Sequence, residues 1–202
     1  MCSNAYLVLE YIEMQSGGDW AELGKGLAQM HRLEAPEFGY TLDNTIGSTR
    51  QSNLNRTTSW VEFFRDSRLK FQFNLAEQKG NKLKGVDQLL DKLEDLLGGN
   101  SPAPSLVHGD LWSGNASFDS EGRGVIFDPA CYYGDREVDL AMTELFGGFS
   151  SEFYRAYNEE YPLAEGYERR KNLYNLYHIV NHLNLFGSSY KGQAEAIIQS
   201  YL

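Results

Sequence analysis

The residues best suited to do chemistry are His108, Gly109, Asp110 and Asn115, followed thirteen positions later by Asp128. Leu106-Val107 leads into this stretch as a short apolar strand. A turn rich in Gly and polar groups then presents the Asp110 carboxylate and the Asn115 carboxamide. Ala116–Phe118 and Val125–Phe127 read as a hairpin that delivers Asp128 at its end. Phosphoryl transfer demands positioning, neutralisation of phosphate charge by Mg²⁺ and an acceptor for the proton of the attacking hydroxyl. Mg²⁺ takes a few oxygen ligands and completes its shell with phosphate and water. The spacing fits a catalytic loop of the form H-x-D-x-x-x-x-N followed by a metal-binding Asp. It gives Asp110 as proton acceptor and Asn115 and Asp128 as metal ligands, with ATP and Mg²⁺ as cofactors. Gly109 stands where protein kinases carry Arg, and Asp128-Pro129-Ala130 stands where they carry Asp-Phe-Gly.

Several elements must hold these residues in place. Asp19 is placed to cap a helix over 20–31, whose Trp20, Leu23, Leu27 and Met30 share one face. Residues 34–55 read as an ordered irregular segment. Ser59 and Glu62 form a capping-box pattern at the head of another helix. Val86 to Leu97 reads as one amphipathic helix stopped by Gly98-Gly99. Residues 129–136 read as loop, and the chain is mostly helical from Glu137 onward. Tyr6 to Ile12 is β-branched and aromatic, as a buried strand would be. The expected fold is α+β and mostly α.

With 202 residues and 42% hydrophobic content, the chain can bury a sizeable core as a single domain. It contains no apolar run long enough to cross a bilayer and no signal-peptide pattern at Met1, which points to a cytoplasmic protein. A net charge of -10 argues against general nucleic-acid binding. Cys2 and Cys131 make neither a disulfide framework nor a metal motif. His178 and His182 lie at i, i+4, but no third ligand accompanies them, so core or solvated positions are expected. Asp139, near the start of a helix, is placed to bond loop amides.

The stretches His108-Gly-Asp-Leu-Trp-Ser-Gly-Asn115 and Ile126-Phe-Asp-Pro-Ala-Cys-Tyr-Tyr-Gly-Asp-Arg-Glu-Val-Asp-Leu-Ala141 resemble the fructosamine kinase (ketosamine kinase) family. These small-molecule kinases are allied to aminoglycoside and choline kinases, and Trp112-Ser113 inside the loop is the discriminating detail. Phe38-Gly-Tyr40, Asp43 to Gly47, Gln51, Asn53, Trp60, Phe63-Phe64 and Arg68-Leu69 extend the likeness, which runs from about Tyr6 to Phe186.

The resemblance implies a protein-kinase-like C-terminal lobe with a catalytic β-hairpin and a remnant hinge strand. Residues 1–14 would form the hinge strand and linker, and 15–202 the helical lobe. Backbone groups of Glu10, Tyr11 and Ile12 would meet the adenine. Trp112 would stack on a sugar ring or pack in the core, and Asp135 and Glu137 would line the substrate side. The implied partner is a ketosamine on a small amine or a protein lysine. No Gly-rich phosphate loop precedes Tyr6 and no strand lysine can be assigned, so the family's small N-terminal lobe is expected to be missing and ATP turnover weak. An aminoglycoside, choline or homoserine-type acceptor, and a non-enzymatic binding lobe, remain open alternatives.

Overall fold

The computed structural model describes residues 8–202. Helix α1 (Trp20–His31) opens where the Asp19 carboxylate accepts from the Glu22 amide at 2.9 Å. A hairpin of β1 (Asn44–Ile46) and β2 (Thr49–Gln51) interrupts the stretch read as irregular. Next comes a nearly continuous helical rod: α2 (Trp60–Phe63), a π-helical turn over Phe64–Leu69, and α3 (Lys70–Gln78). Ser59 caps α2 by accepting from the Glu62 amide, as the capping pattern predicts. The Glu62 side chain turns instead to the Thr57 hydroxyl. The helix expected over 86–97 breaks at Lys92 into α4 (Val86–Asp91) and α5 (Leu93–Leu97).

Strand β3 (Ser105–Val107) enters the central motif, and a 3₁₀ turn (Ser113–Asn115) leaves it. β4 (Ala116–Phe118) and β5 (Gly124–Ile126) form the expected hairpin. β6 (Tyr132–Gly134) pairs antiparallel with β3, within a stretch read as loop. Three residues of strand are too few to show an alternating pattern, and the pairing is nonlocal. Then follow α6 (Glu137–Leu145), α7 (Ser151–Glu160), the long α8 (Tyr167–Phe186) and α9 (Lys191–Ser200).

Two apolar clusters share the interior. One joins the α2–α3 rod to α8 and α9 through Trp60, Phe64, Leu69, Tyr174 and Leu176. The other packs α1 and α7 around the hairpin through Leu27, Phe118, Phe153 and Tyr157. Leu111, inside the central motif and fully buried, belongs to the second cluster and anchors the loop.

The expected hinge strand requires correction. Tyr6 and Leu7 lie outside the described residues, and residues 8–14 form no strand. A strand needs a partner for its amides and carbonyls, and no described segment pairs with 8–14. Pairing begins at Gln15, whose amide donates to the Phe118 carbonyl at 2.7 Å and whose carbonyl accepts from the Ser117 hydroxyl. The segment therefore enters along the edge of the β4–β5 hairpin. Among the described residues, no helix is long and apolar enough to cross a membrane.

Candidate active site

The loop carrying Asp110 is held from beneath by one carboxylate. Asp139 on α6 accepts from the His108 amide at 2.7 Å and the Gly109 amide at 2.8 Å, one on each oxygen. His31, at the end of α1, adds its Nε2 at 3.0 Å. The Tyr157 hydroxyl reaches His31 Nδ1 at 2.7 Å and also accepts from Arg136. Burial works to raise the Asp139 pKa, but the bond from His31 and the loop amides outweigh it, so the carboxyl stays below the ordinary range. Asp139 therefore bonds the loop amides, as its place near the helix start suggests. His31 packs in the core.

The loop's own residues fix its shape. His108 Nε2 donates to the Phe127 carbonyl at 2.9 Å, and its Nδ1 accepts from the Asp110 amide at 3.3 Å. This pattern specifies the Nε2–H tautomer, since a carbonyl only accepts. His108 thereby ties the loop to the strand end that carries Asp128. Gly109 has φ +80°, and a Cβ there would lie 2.3 Å from the Ala130 carbonyl oxygen. That close approach explains Gly in place of the kinase Arg, and the bond from the Ala130 amide to the His108 carbonyl maintains it.

Asp110, Asn115 and Asp128 come together. The Asn115 side-chain amide donates to the Asp110 carbonyl at 2.9 Å and faces its Oδ2 at 3.5 Å. The Phe127 amide donates to the Asn115 carbonyl, which sets Asp128 beside it. Asp128 is exposed and is the single non-glycine residue with positive φ (+53°) among the described residues. Such a conformation costs of order 1–3 kcal/mol and tends to occur at functional sites. The Asp110 side chain is 21% exposed. Burial, and then the charges of Asp139 and Asp128, push its pKa up to about 6 against the bond from Asn115. It is thus still ionised at neutral pH, yet basic enough to take a proton. The donor set suits Mg²⁺: Asn115 spends its amide hydrogens on Asp110, which leaves its carbonyl oxygen, and Asp128 adds an exposed carboxylate. Among the described residues, no group of three or more His, Cys, Asp or Glu could hold a metal by itself.

The remaining expected residues fall as follows. Trp112 is 39% exposed, packs edge-on to Phe146 at 6.2 Å and lies over Gly114. Glu10 and Tyr11 are exposed and Ile12 is half-buried. Asp135 and Glu137, expected on the substrate side, are both buried and bonded within the fold. Asp135 is buried and bonds the Tyr174 hydroxyl and the Asn100 amide, while Glu137 makes a two-point ion pair with Arg170 at 2.8 Å. Their charges are engaged in joining α6 to α8 and to the linker before β3. A cleft of about 770 Å³ lined by Lys70, Phe73, Glu77, Lys82 and Asp87 holds none of the motif residues.

Sequence reasoning missed a support network behind the loop. Gln51 donates to the Ala130 carbonyl and to Asn44, and accepts from the Tyr177 hydroxyl at 2.8 Å. Asn44 donates in turn to the Cys131 carbonyl. Arg68 is fully buried without a carboxylate partner among the described residues. It bonds the Ser52 and Ser67 carbonyls and Asn53, and lies 3.9 Å from the centre of the Tyr132 ring. His178 lies against Asp110, its Nδ1 3.9 Å from Oδ1. These residues are far apart in sequence, and nothing local to each signals the contact.

Comparison with known proteins gives the family. The fructosamine kinase family model matches residues 1–202. The chain belongs to the fructosamine kinase family. It is 48% identical over 202 residues to a protein named as a probable ketoamine kinase of Synechocystis, covering 98% of this chain and 68% of that one. It is 44% identical over 204 residues to a chloroplastic protein-ribulosamine 3-kinase of Oryza sativa, covering 98% of this chain and 59% of the relative. A crystal structure from Haemophilus somnus, assigned as a fructosamine-3-kinase, superposes with a TM-score of 0.89 at 32% identity, covering 96% of this chain and 67% of that one. The chain thus spans about two-thirds of the length of the proteins it matches.

Proposed function

We propose that the protein transfers the γ-phosphoryl group of ATP to a sugar hydroxyl of a ketosamine, an adduct carried by a small amine or a protein lysine. The observation that carries this reading is the meeting of Asp110, Asn115 and Asp128 on a loop clamped through its amides by Asp139. Asp110 accepts the proton of the sugar hydroxyl, whose oxygen then bonds to the γ-phosphorus as ADP leaves. Asn115 and Asp128 hold Mg²⁺, which neutralises charge on the phosphates. Asn115 has a second task, since its amide holds the Asp110 backbone in place. Backbone groups of Glu10, Tyr11 and Ile12 meet the adenine. The entry of this segment along the β4–β5 hairpin supports that position, because Asn115 and Asp128 flank the two ends of the same hairpin. Trp112, exposed and two residues from Asp110, stacks on the sugar. The chain would then serve as the large lobe of a kinase-type fold.

The test incubates the protein, as its gene encodes it, with Mg-ATP and a panel of sugar amines including fructosyl-lysine. Phosphate should appear on the sugar of the ketosamines. Asp110→Asn should lower the rate roughly 10²- to 10⁴-fold. No transfer to any ketosamine, or an undiminished rate in the variant, overturns the reading.

A further inference from the structure

One buried group beside Asp110 has no role in the chemistry above. His178, on α8, is 3% exposed, and its Nδ1 has no hydrogen-bond partner. An unpaired buried polar atom costs about 1–3 kcal/mol and calls for an explanation. This one faces Asp110 Oδ1 at 3.9 Å. The ring is not free to seek another partner. The Tyr177 ring packs edge-on at 5.2 Å and is itself tied to Gln51. One turn later, His182 bonds back to the His178 carbonyl at 2.8 Å.

Electrostatics selects the form of the ring. Burial and the nearby His182 and Arg68 hold it unprotonated against the pull of Asp139. A proton on Nε2 would turn the Nδ1 lone pair toward the Asp110 carboxylate, whereas a proton on Nδ1 turns an N–H toward it. The present 3.9 Å is too long for a hydrogen bond. A shift of about 1 Å would close it, and catalytic hydrogen bonds are often long before substrate binds.

We propose that His178 is a positioning residue that directs an Nδ1–H at Asp110 Oδ1, so that Oδ2 is left to receive the hydroxyl proton. The kinetic part rests on the reading of Asp110 as proton acceptor, and the structural part does not. Histidine ¹⁵N NMR on the 202-residue chain reads the tautomer directly. His178 should carry its proton on Nδ1 in the parent protein and lose that preference in Asp110→Ala. An Nε2–H tautomer in the parent, or a tautomer indifferent to Asp110, overturns the proposal.

Kinetics supply the second arm. His178→Leu should lower kcat roughly 10- to 10²-fold while KM for ATP and sugar stays nearly constant. His178→Asn, whose side-chain amide can occupy the place of Nδ1, should restore most of the rate. An unchanged kcat in His178→Leu, or equal losses in both variants, also overturns it. Absence of any phosphoryl transfer by the parent protein overturns the proton-acceptor reading instead, and the tautomer still decides the His178 contact.

Discussion

At the residue scale, the site is a set of groups held in costly states by their surroundings. Asp110 keeps its charge in a partly buried place, Asp128 holds a left-handed backbone, and His178 remains unprotonated with a bare ring nitrogen. His178 makes the cost measurable. Burial depresses its pKa from the ordinary 6.5 to about 3. Below pH 6.5 the unfolded chain takes up a proton that the folded chain refuses, so stability falls as pH drops from 6.5 toward 3. Between pH 7 and pH 5 this residue alone should remove about 2 kcal/mol. Urea unfolding of His178→Asn at the two pH values should show that much less acid destabilisation than the parent protein. Equal losses would mean that the ring accepts a proton in place.

At the element scale, α6 supports the loop and α1 supports α6. Asp139 gathers two loop amides and the His31 ring on one side chain. Asp139→Asn keeps one acceptor oxygen but sets an NH₂ against a backbone N–H. The variant should lose about 2–4 kcal/mol of stability, read from denaturant midpoints, and most of its activity. Asp135→Asn, farther from the loop, should keep the activity. Much of this architecture was legible. Helix α1 appears with the expected bounds because Asp19 and the apolar spacing both act locally. The β4–β5 hairpin, the position of Asp139 and the meeting of Asp110, Asn115 and Asp128 follow from a compact motif. The pairing of β6 with β3 and the network of Gln51, Asn44 and Tyr177 were not legible, since each joins segments distant in the chain. The partners of Asp135 and Glu137 were not legible either. The resemblance implies a substrate-side place for both, while Tyr174 and Arg170, reached only through folding, bond them.

At the scale of the whole molecule, two apolar clusters meet beneath one loop, and the loop reports on both. Leu111 belongs to the cluster around α1 and α7, while His178 and Gln51 connect the loop to the α8 side. A ligand that bridges Asn115 and Asp128 should therefore stabilise the chain as a unit. Mg-ATP at a hundredfold excess over its Kd should add about 2.7 kcal/mol, seen as a single transition moved to higher Tm. ATP with EDTA should move it less, and Asp128→Asn should abolish the Mg²⁺-dependent part. A Tm insensitive to Mg-ATP would remove the proposed metal pair. The acidic balance of the molecule makes Mg²⁺ the natural intermediary for an anionic nucleotide.

The π-helical turn between α2 and α3 carries a consequence of its own. Its wider winding holds one residue more than an α-helix would place in the same length. Leu69 and Arg68 both turn inward there, and Arg68 lies on Tyr132, the first residue of β6. Deleting a single residue from Phe64–Leu69 would let the rod close into ordinary α-helix with its two halves still in phase, so that only the inward bulge is lost. The guanidinium that now sits among aromatic rings would lose the bulge that carries it inward, and β3, the strand that feeds the loop, would lose support beneath its partner. One extra residue in a helical rod thus helps to give the Asp110 loop its floor.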